Sequence, residues 1–258
     1  MSALLSSRGL TIRFGGLVAL DGLNIDLHLG ETIGLVGPNG SGKTTFFNVV
    51  TGPYQPTGGS LTFAGNDLFG KTPQVIARAG VARTFQRSRL MLDQSVFDNI
   101  AVGMLGRFNL GLFNSVLRRR RLHADIDAAL EKAHALVRRF NPAVADRMFE
   151  PVGNFTMIDR RRIEMCRALI GHPTLLLLDE PSAGMTHEET RRLMDDLLAF
   201  RSEEPSLSVV LVEHEMDVIR RVSDRCVVLS FGRKIFEGSF DELIADSQVQ
   251  TAYLGSDT

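Results

Sequence analysis

Residues 37–45, Gly-Pro-Asn-Gly-Ser-Gly-Lys-Thr-Thr, have the types and spacing to hold a polyphosphate. Gly37, Gly42, Lys43 and Thr44 fill the fixed positions of the phosphate-loop pattern G-x-x-x-x-G-K-[ST]. The chemistry is that of backbone amides converging on an anion at a helix start, helped by the helix dipole. Gly40 and Gly42 let the chain wrap a phosphate where a Cβ would collide. Asn39, Ser41 and Thr45 complete the lining. Lys43 can reach the β- and γ-phosphates, and the Thr44 hydroxyl can ligate Mg²⁺. ATP with Mg²⁺ is the expected ligand.

Residues 175–180 read Leu-Leu-Leu-Leu-Asp-Glu, an apolar run ending in two carboxylates. Beside a phosphate loop, Asp179 at a strand end would hold Mg²⁺ directly or through water. Glu180 would then adjoin the γ-phosphate and act as general base on the attacking water. Residues 209–214 (VVLVEH) place His214 just past another apolar run, where an imidazole can bond the γ-phosphate and orient the water. Gln86 follows a short β-like stretch. Its neutral amide can ligate Mg²⁺ or water, and spacing alone leaves a surface glutamine equally open. The other histidines, at 28, 123, 134, 172 and 187, lack such placement and are read as structural.

The elements that must carry these groups are legible as well. Residues 32–36 read as a buried strand and 45–50 as a helix. Residues 7–30 alternate in short patches, with turn signals at Gly15-Gly16 and Asp21-Gly22, as an antiparallel β layer does. Residues 60–64 add a strand to it. The apolar runs 175–178, 209–212 and 226–230 are separated by helical patterns, which implies a mostly parallel sheet with crossover helices. Residues 87–160 have a different texture and read as an inserted helical subdomain. Its clearest helix is 124–140, and Gly103, Gly106, Asn109, Gly111 and Asn114 mark a loop in it.

Bulk properties bound the rest. At 258 residues, the chain can bury roughly 70–75% of its unfolded surface. A net charge of −1 gives no global pull toward nucleic acid, and none is expected as a partner. Cys166 and Cys226 lack metal-ligand spacing, and a reducing compartment fits them. The first residues lack a signal-peptide pattern, and no apolar window is long enough to span a membrane.

The order of phosphate loop, Gln86, LLLLDE and His214 resembles the ATPase subunits of ABC transporters. More narrowly, it is similar to the branched-chain amino-acid uptake subgroup, through RFGGLVALDG (13–22), FFNVVTG (46–52), ARTFQ (82–86), RRIEMCRAL (161–169), LLLLDEPSAGM (175–185), VEHEMDVI (212–219) and YLG (253–255). The resemblance covers nearly the whole chain. It implies an α/β fold: a P-loop NTPase (RecA-like) core with an antiparallel β layer and an inserted helical subdomain. The core would take 1–86 and 161–258, within a single ABC ATPase domain over 1–258. By the same resemblance Phe14 is the aromatic that stacks on adenine, 83–86 the Q-loop and 182–185 the D-loop. In the family, two such domains sandwich two ATPs and drive membrane subunits between access states. The implied partners are a second ABC ATPase subunit and two multi-span permease subunits. A periplasmic solute-binding protein is an indirect one. The implied location is the cytoplasmic face of the plasma membrane. The rival reading is a non-transport, nucleotide-dependent regulator or sensor with weak ATPase activity.

One segment departs from the family. Its signature loop, close to L-S-G-G-Q, stands here as Phe155-Thr156-Met157-Ile158-Asp159. Thr156 keeps a hydroxyl, but both glycines and the glutamine are gone. Met157 and Ile158 add side chains where a backbone must approach a phosphate, and Asp159 adds a like charge. The same residues fit a capped helix start, [ST]-x-x-[DE]. The loop is expected to be impaired, and a heterodimer with a better-equipped partner is favoured. The run 118–121, four arginines, reads as a solvated helix face, with anionic lipid or a permease loop as the functional alternative.

Overall fold

The computed structural model describes residues 3–107 and 119–254. Two sheets organise it. The first is antiparallel, with strands β1 (Leu5–Phe14), β2 (Leu17–Leu27), β4 (Gly58–Phe63) and β5 (Asn66–Asp67) in the order β2-β1-β4-β5. Gly15-Gly16 does turn the chain between β1 and β2. Asp21-Gly22 does not: β2 runs through it. Leu10 pairs with Leu23 and Ile12 with Leu20, so Asp21 and Gly22 bulge opposite Thr11, whose hydroxyl accepts the Gly22 N–H.

The second sheet has the order β10-β9-β3-β8-β7-β6. Its strands are β3 (Thr32–Val36), β6 (Val81–Arg83), β7 (Leu175–Asp179), β8 (Ser208–Val212), β9 (Arg225–Ser230) and β10 (Arg233–Gly238). All are parallel except β10, an edge strand that returns antiparallel on β9. Both faces are covered, which is why its strands read as unbroken apolar runs. Leu175, Leu177, Val210 and Val212 point into a core shared with the antiparallel layer. Leu176, Leu178, Val209 and Leu211 point into a second core on the helical side.

Helix α1 (Lys43–Val50) follows β3 and buries Phe46, Phe47, Val49 and Val50. Short helices α2 (Pro73–Arg78) and α3 (Val96–Ala101) come next. Then α4 (Arg119–Phe140) presents Ala129, Ala133, Leu136, Val137 and Phe140 to the second core, a helical spacing. After α5 (Pro142–Ala145), α6 (Met157–Leu169) runs from the degenerate loop into the sheet's flank, straddling position 161. The remaining helices are α7 (His187–Glu203), α8 (Met216–Val222), α9 (Phe240–Ala245) and α10 (Ser247–Leu254).

Gly103 and Gly106 lie in a 3₁₀ turn (Val102–Arg107) rather than a loop. A Cβ on Gly103 would stand 2.1 Å from the Arg167 carbonyl oxygen, so this glycine lets the turn press onto α6. Asn109, Gly111, Asn114, Arg118 and Gly255 lie outside the described residues. Both cysteines are buried free thiols whose ionisation burial suppresses.

Candidate nucleotide-binding and catalytic site

Parallel pairing brings the C-terminal ends of β3, β6, β7 and β8 to one edge of the sheet, where open α/β sheets bind their ligands. Residues 37–45 leave β3 there, Gln86 follows β6, Asp179-Glu180 ends β7 and His214 follows β8. Four sequence-distant groups thus converge by topology alone.

The phosphate loop is shaped as its glycines require. Gly37, Gly40 and Gly42 have φ of +146°, +78° and +110°. A Cβ on Gly37 would lie 2.1 Å from the Leu229 carbonyl oxygen, and one on Gly42 2.9 Å from that of Ala19. Gly40 opens on free space, so its need is conformational rather than steric. Gly42 caps α1 with no side-chain hydrogen bond, leaving the helix amides to an outside acceptor. Ser41 is buried and its hydroxyl oxygen has no partner. Asn39 and Thr44 are exposed and Thr45 half-buried. Lys43 donates to the carbonyls of Gly37 at 2.6 Å and Pro38 at 3.1 Å. Burial lowers its pKa, against the opposing pull of Glu180 and Asp179.

Glu180 is the centre of the catalytic candidates. Its φ of +47° lies in the left-handed region, a strained setting for a glutamate, and its N–H donates to the Val212 carbonyl. One carboxylate oxygen accepts from Gln86 Nε2 at 2.5 Å, and the other lies 2.8 Å from His214 Nε2. Gln86 therefore points at the candidate base.

Asp179 is buried, and Arg83 donates to its Oδ2 at 2.6 Å. The metal candidates named from the sequence, Asp179, Thr44 and Gln86, are by type a carboxylate, a hydroxyl and an amide, all oxygen donors. Magnesium takes such sets together with substrate phosphates, so the residues fit a magnesium triphosphate.

Phe14 ends β1 half exposed, its ring edge-on to Tyr54 at 5.2 Å between centroids. Sequence reading singled out Phe14 and missed Tyr54. It also missed Arg83 as a working residue, and Glu213. Burial raises the pKa of Glu213, which accepts the N–H of Ser182 at 2.9 Å and so ties the 182–185 turn to the residue before His214. Arg161 is a fourth: its guanidinium donates to the carbonyls of Gln86 and Ala183 and pairs with buried Glu164. Apart from Arg161–Glu164, three residues apart on one helix, these pairings join residues far apart in sequence and leave no local signal there.

The degenerate loop differs in detail from expectation. Thr156 caps α6, accepting the Asp159 N–H. Asp159 does not present a bare charge. Its carboxylate accepts from Asn141 at 2.8 Å, the Thr156 hydroxyl at 2.7 Å and Arg162 at 3.1 Å. Ile158 is buried in the helix with no positive φ to resist. Met157 is exposed at the first helical position.

The family model described as "ABC transporter" matches residues 20–183. Over 252 residues the chain is 36% identical to the high-affinity branched-chain amino acid transport ATP-binding protein LivG of Escherichia coli K12, covering 98% of each. It is likewise 36% identical over 256 residues to BraF, the corresponding protein of Pseudomonas aeruginosa, again covering 98% of each. Among solved structures, a nucleotide-free ATP-binding cassette from an ABC transporter gives a TM-score of 0.83 at 24% identity, covering 97% of this chain and 98% of that one. The ADP conformation of an ATP-binding cassette also gives 0.83, at 24% identity and 99% and 100% coverage. These two likenesses concern the fold, an ABC cassette on a P-loop core.

Proposed function

The chain belongs to the ABC transporter family, and from that premise we propose that it is the ATP-binding, ATP-hydrolysing subunit of an importer for branched-chain amino acids or a related small polar solute. The observation that carries the hydrolytic half is Glu180, held by both carboxylate oxygens at the sheet edge where the phosphate loop opens.

The mechanism follows from the positions. On nucleotide binding, Lys43 exchanges the carbonyls of Gly37 and Pro38 for phosphate oxygens, while the α1 amides and Ser41 take the rest. Phe14 and Tyr54 offer an aromatic platform for the base. Thr44, Asp179 and Gln86 would hold the magnesium ion, which supplies charge neutralisation at the β- and γ-phosphates. Glu180 accepts a proton from water as the water oxygen bonds to the γ-phosphorus and the bond from that phosphorus to the β–γ bridging oxygen breaks, leaving ADP and inorganic phosphate. His214 fixes the Glu180 carboxylate and is placed to bond the γ-phosphate.

As an ABC transporter ATP-binding subunit, the chain works with membrane permease components. The finer assembly is part of the proposal: two multi-span permeases, a second ATPase subunit and a periplasmic solute-binding protein, at the cytoplasmic face of the membrane. Among the described residues no helix is long and apolar enough to cross a membrane. Met157 in place of a glycine supports a heterodimer of unequal sites, this chain lending a good phosphate loop and its partner a good signature loop.

Copurification from detergent-solubilised membranes, followed by leucine uptake in proteoliposomes, tests the function. Uptake should require this chain and fail with Lys43→Ala. Recovery of an active ATPase without any multi-span protein would favour the regulator reading instead.

A further inference from the structure

We propose that Arg83 is the internal counter-cation of Asp179, keeping that carboxylate closed to divalent cations until a triphosphate brings the ion with it. The inference rests on the reading of Asp179 as the metal carboxylate. Arg83 Nη2 donates to Asp179 Oδ2 at 2.6 Å, with the two side chains only 6% and 7% exposed. The same guanidinium is fixed from two other sides. Nη1 donates to Asn48 on α1 at 2.7 Å and reaches Thr51 at 3.5 Å. The rings of Phe47 and Phe85 flank it, 5.3 and 5.0 Å from Cζ.

Arg83 is thus built in rather than resting on the surface. Asp179 and Glu180 are adjacent carboxylates, and such a pair without compensation attracts any divalent cation. A fixed positive charge on Asp179 opposes this in a medium that screens poorly. Lys43, which feels both carboxylates, adds to the opposition. A bound triphosphate reverses the balance by adding several negative charges. Arg83 holds a single oxygen of Asp179, leaving the carboxylate ordered for the ion that arrives with the nucleotide.

Mn²⁺ titration of the full chain, with free ion counted by electron paramagnetic resonance, tests the proposal. Wild type should bind Mn²⁺ tightly only with ATP present. Without nucleotide, Arg83→Gln should bind it at least about tenfold more tightly than wild type, because the repelling charge is gone. Arg83→Lys keeps the charge and should stay within about threefold of wild type. Stripping one partner from a buried pair is strongly destabilising. Arg83→Gln should therefore melt early in EDTA and recover with Mn²⁺, while the wild-type melting point hardly moves. If the variant is unfolded in EDTA, Mn²⁺ should restore the fold. Unchanged nucleotide-free Mn²⁺ affinity, or no rescue by Mn²⁺, overturns the proposal. Failure of the underlying reading looks different: wild type with ATP would then take up no Mn²⁺, or Asp179→Asn would take it up as well as wild type.

Discussion

His214 Nε2 lies 2.8 Å from Glu180 Oε1, opposite the oxygen that Gln86 holds. The candidate base is oriented before any water arrives. Glu180→Gln keeps the shape but cannot take a proton, and loss of a general base costs ~10²–10⁴-fold. Turnover should fall by that order in single-turnover assays, with ATP affinity little changed. His214→Ala should lose less, since Gln86 still holds one oxygen. Unaltered hydrolysis in Glu180→Gln would remove it from the mechanism.

Lys43→Ala should weaken ATP binding by about tenfold or more, because charge-assisted bonds to the phosphates are lost. A proton signature accompanies the site. Burial holds the Lys43 pKa below its usual 10.5. Just below pH 10.5, the unfolded chain therefore binds more protons than the folded one, and stability rises with pH in that window. Phosphate restores the charged form, so ATP binding there should take up protons. Calorimetry in buffers of different ionisation enthalpy reads the uptake, which Lys43→Met should abolish.

The loop at 156–159 is expected to limit ATP hydrolysis by the chain on its own. Replacing Thr156, Met157, Ile158 and Asp159 with Ser, Gly, Gly and Gln should speed it. Met157→Gly alone should recover part of the gain. Asp159→Gln gives up the bonds from Arg162 and Asn141 and should cost about 1–2 kcal/mol of stability. A folded, rebuilt chain no faster than wild type would end the unequal-sites idea.

Glu213 gives a test by pH. Burial raises its folded pKa above 4.5, so between that value and the raised one the folded state holds more protons than the unfolded. Stability contributed by this group is greatest at low pH and declines as pH rises through the window. Glu213→Gln keeps an acceptor for Ser182 and loses this dependence. Melting curves from pH 4 upward should show the variant gaining on wild type. A constant difference across the range would contradict the assignment.

Much of the architecture was legible because burial on both faces writes itself into β7, β8 and β9 as continuous apolar runs. The phosphate loop was legible because its glycines sit in one short stretch with fixed jobs. What stayed hidden depends on contacts between distant residues. Arg83 meets Asp179 across 96 positions, and Glu213 meets Ser182 across 31. Neither has a period or a neighbour that announces it. Asp21-Gly22 misled because a bulge and a turn use the same residue types. Asp159 misled because its charge was counted without Arg162 and Asn141.

The second apolar core has no seam. It passes from Ala133 and Phe140 of α4, through Ile163 and Leu169 of α6, to Leu176 and Leu178 of β7 without interruption. A protease or a gene splice aimed at the base of the helical region would cut into shared interior. Amides in α6 and β7 should accordingly exchange with solvent in one cooperative opening. Transplanting the helical region into a related cassette would therefore have to carry the inward residues of β7 along with it.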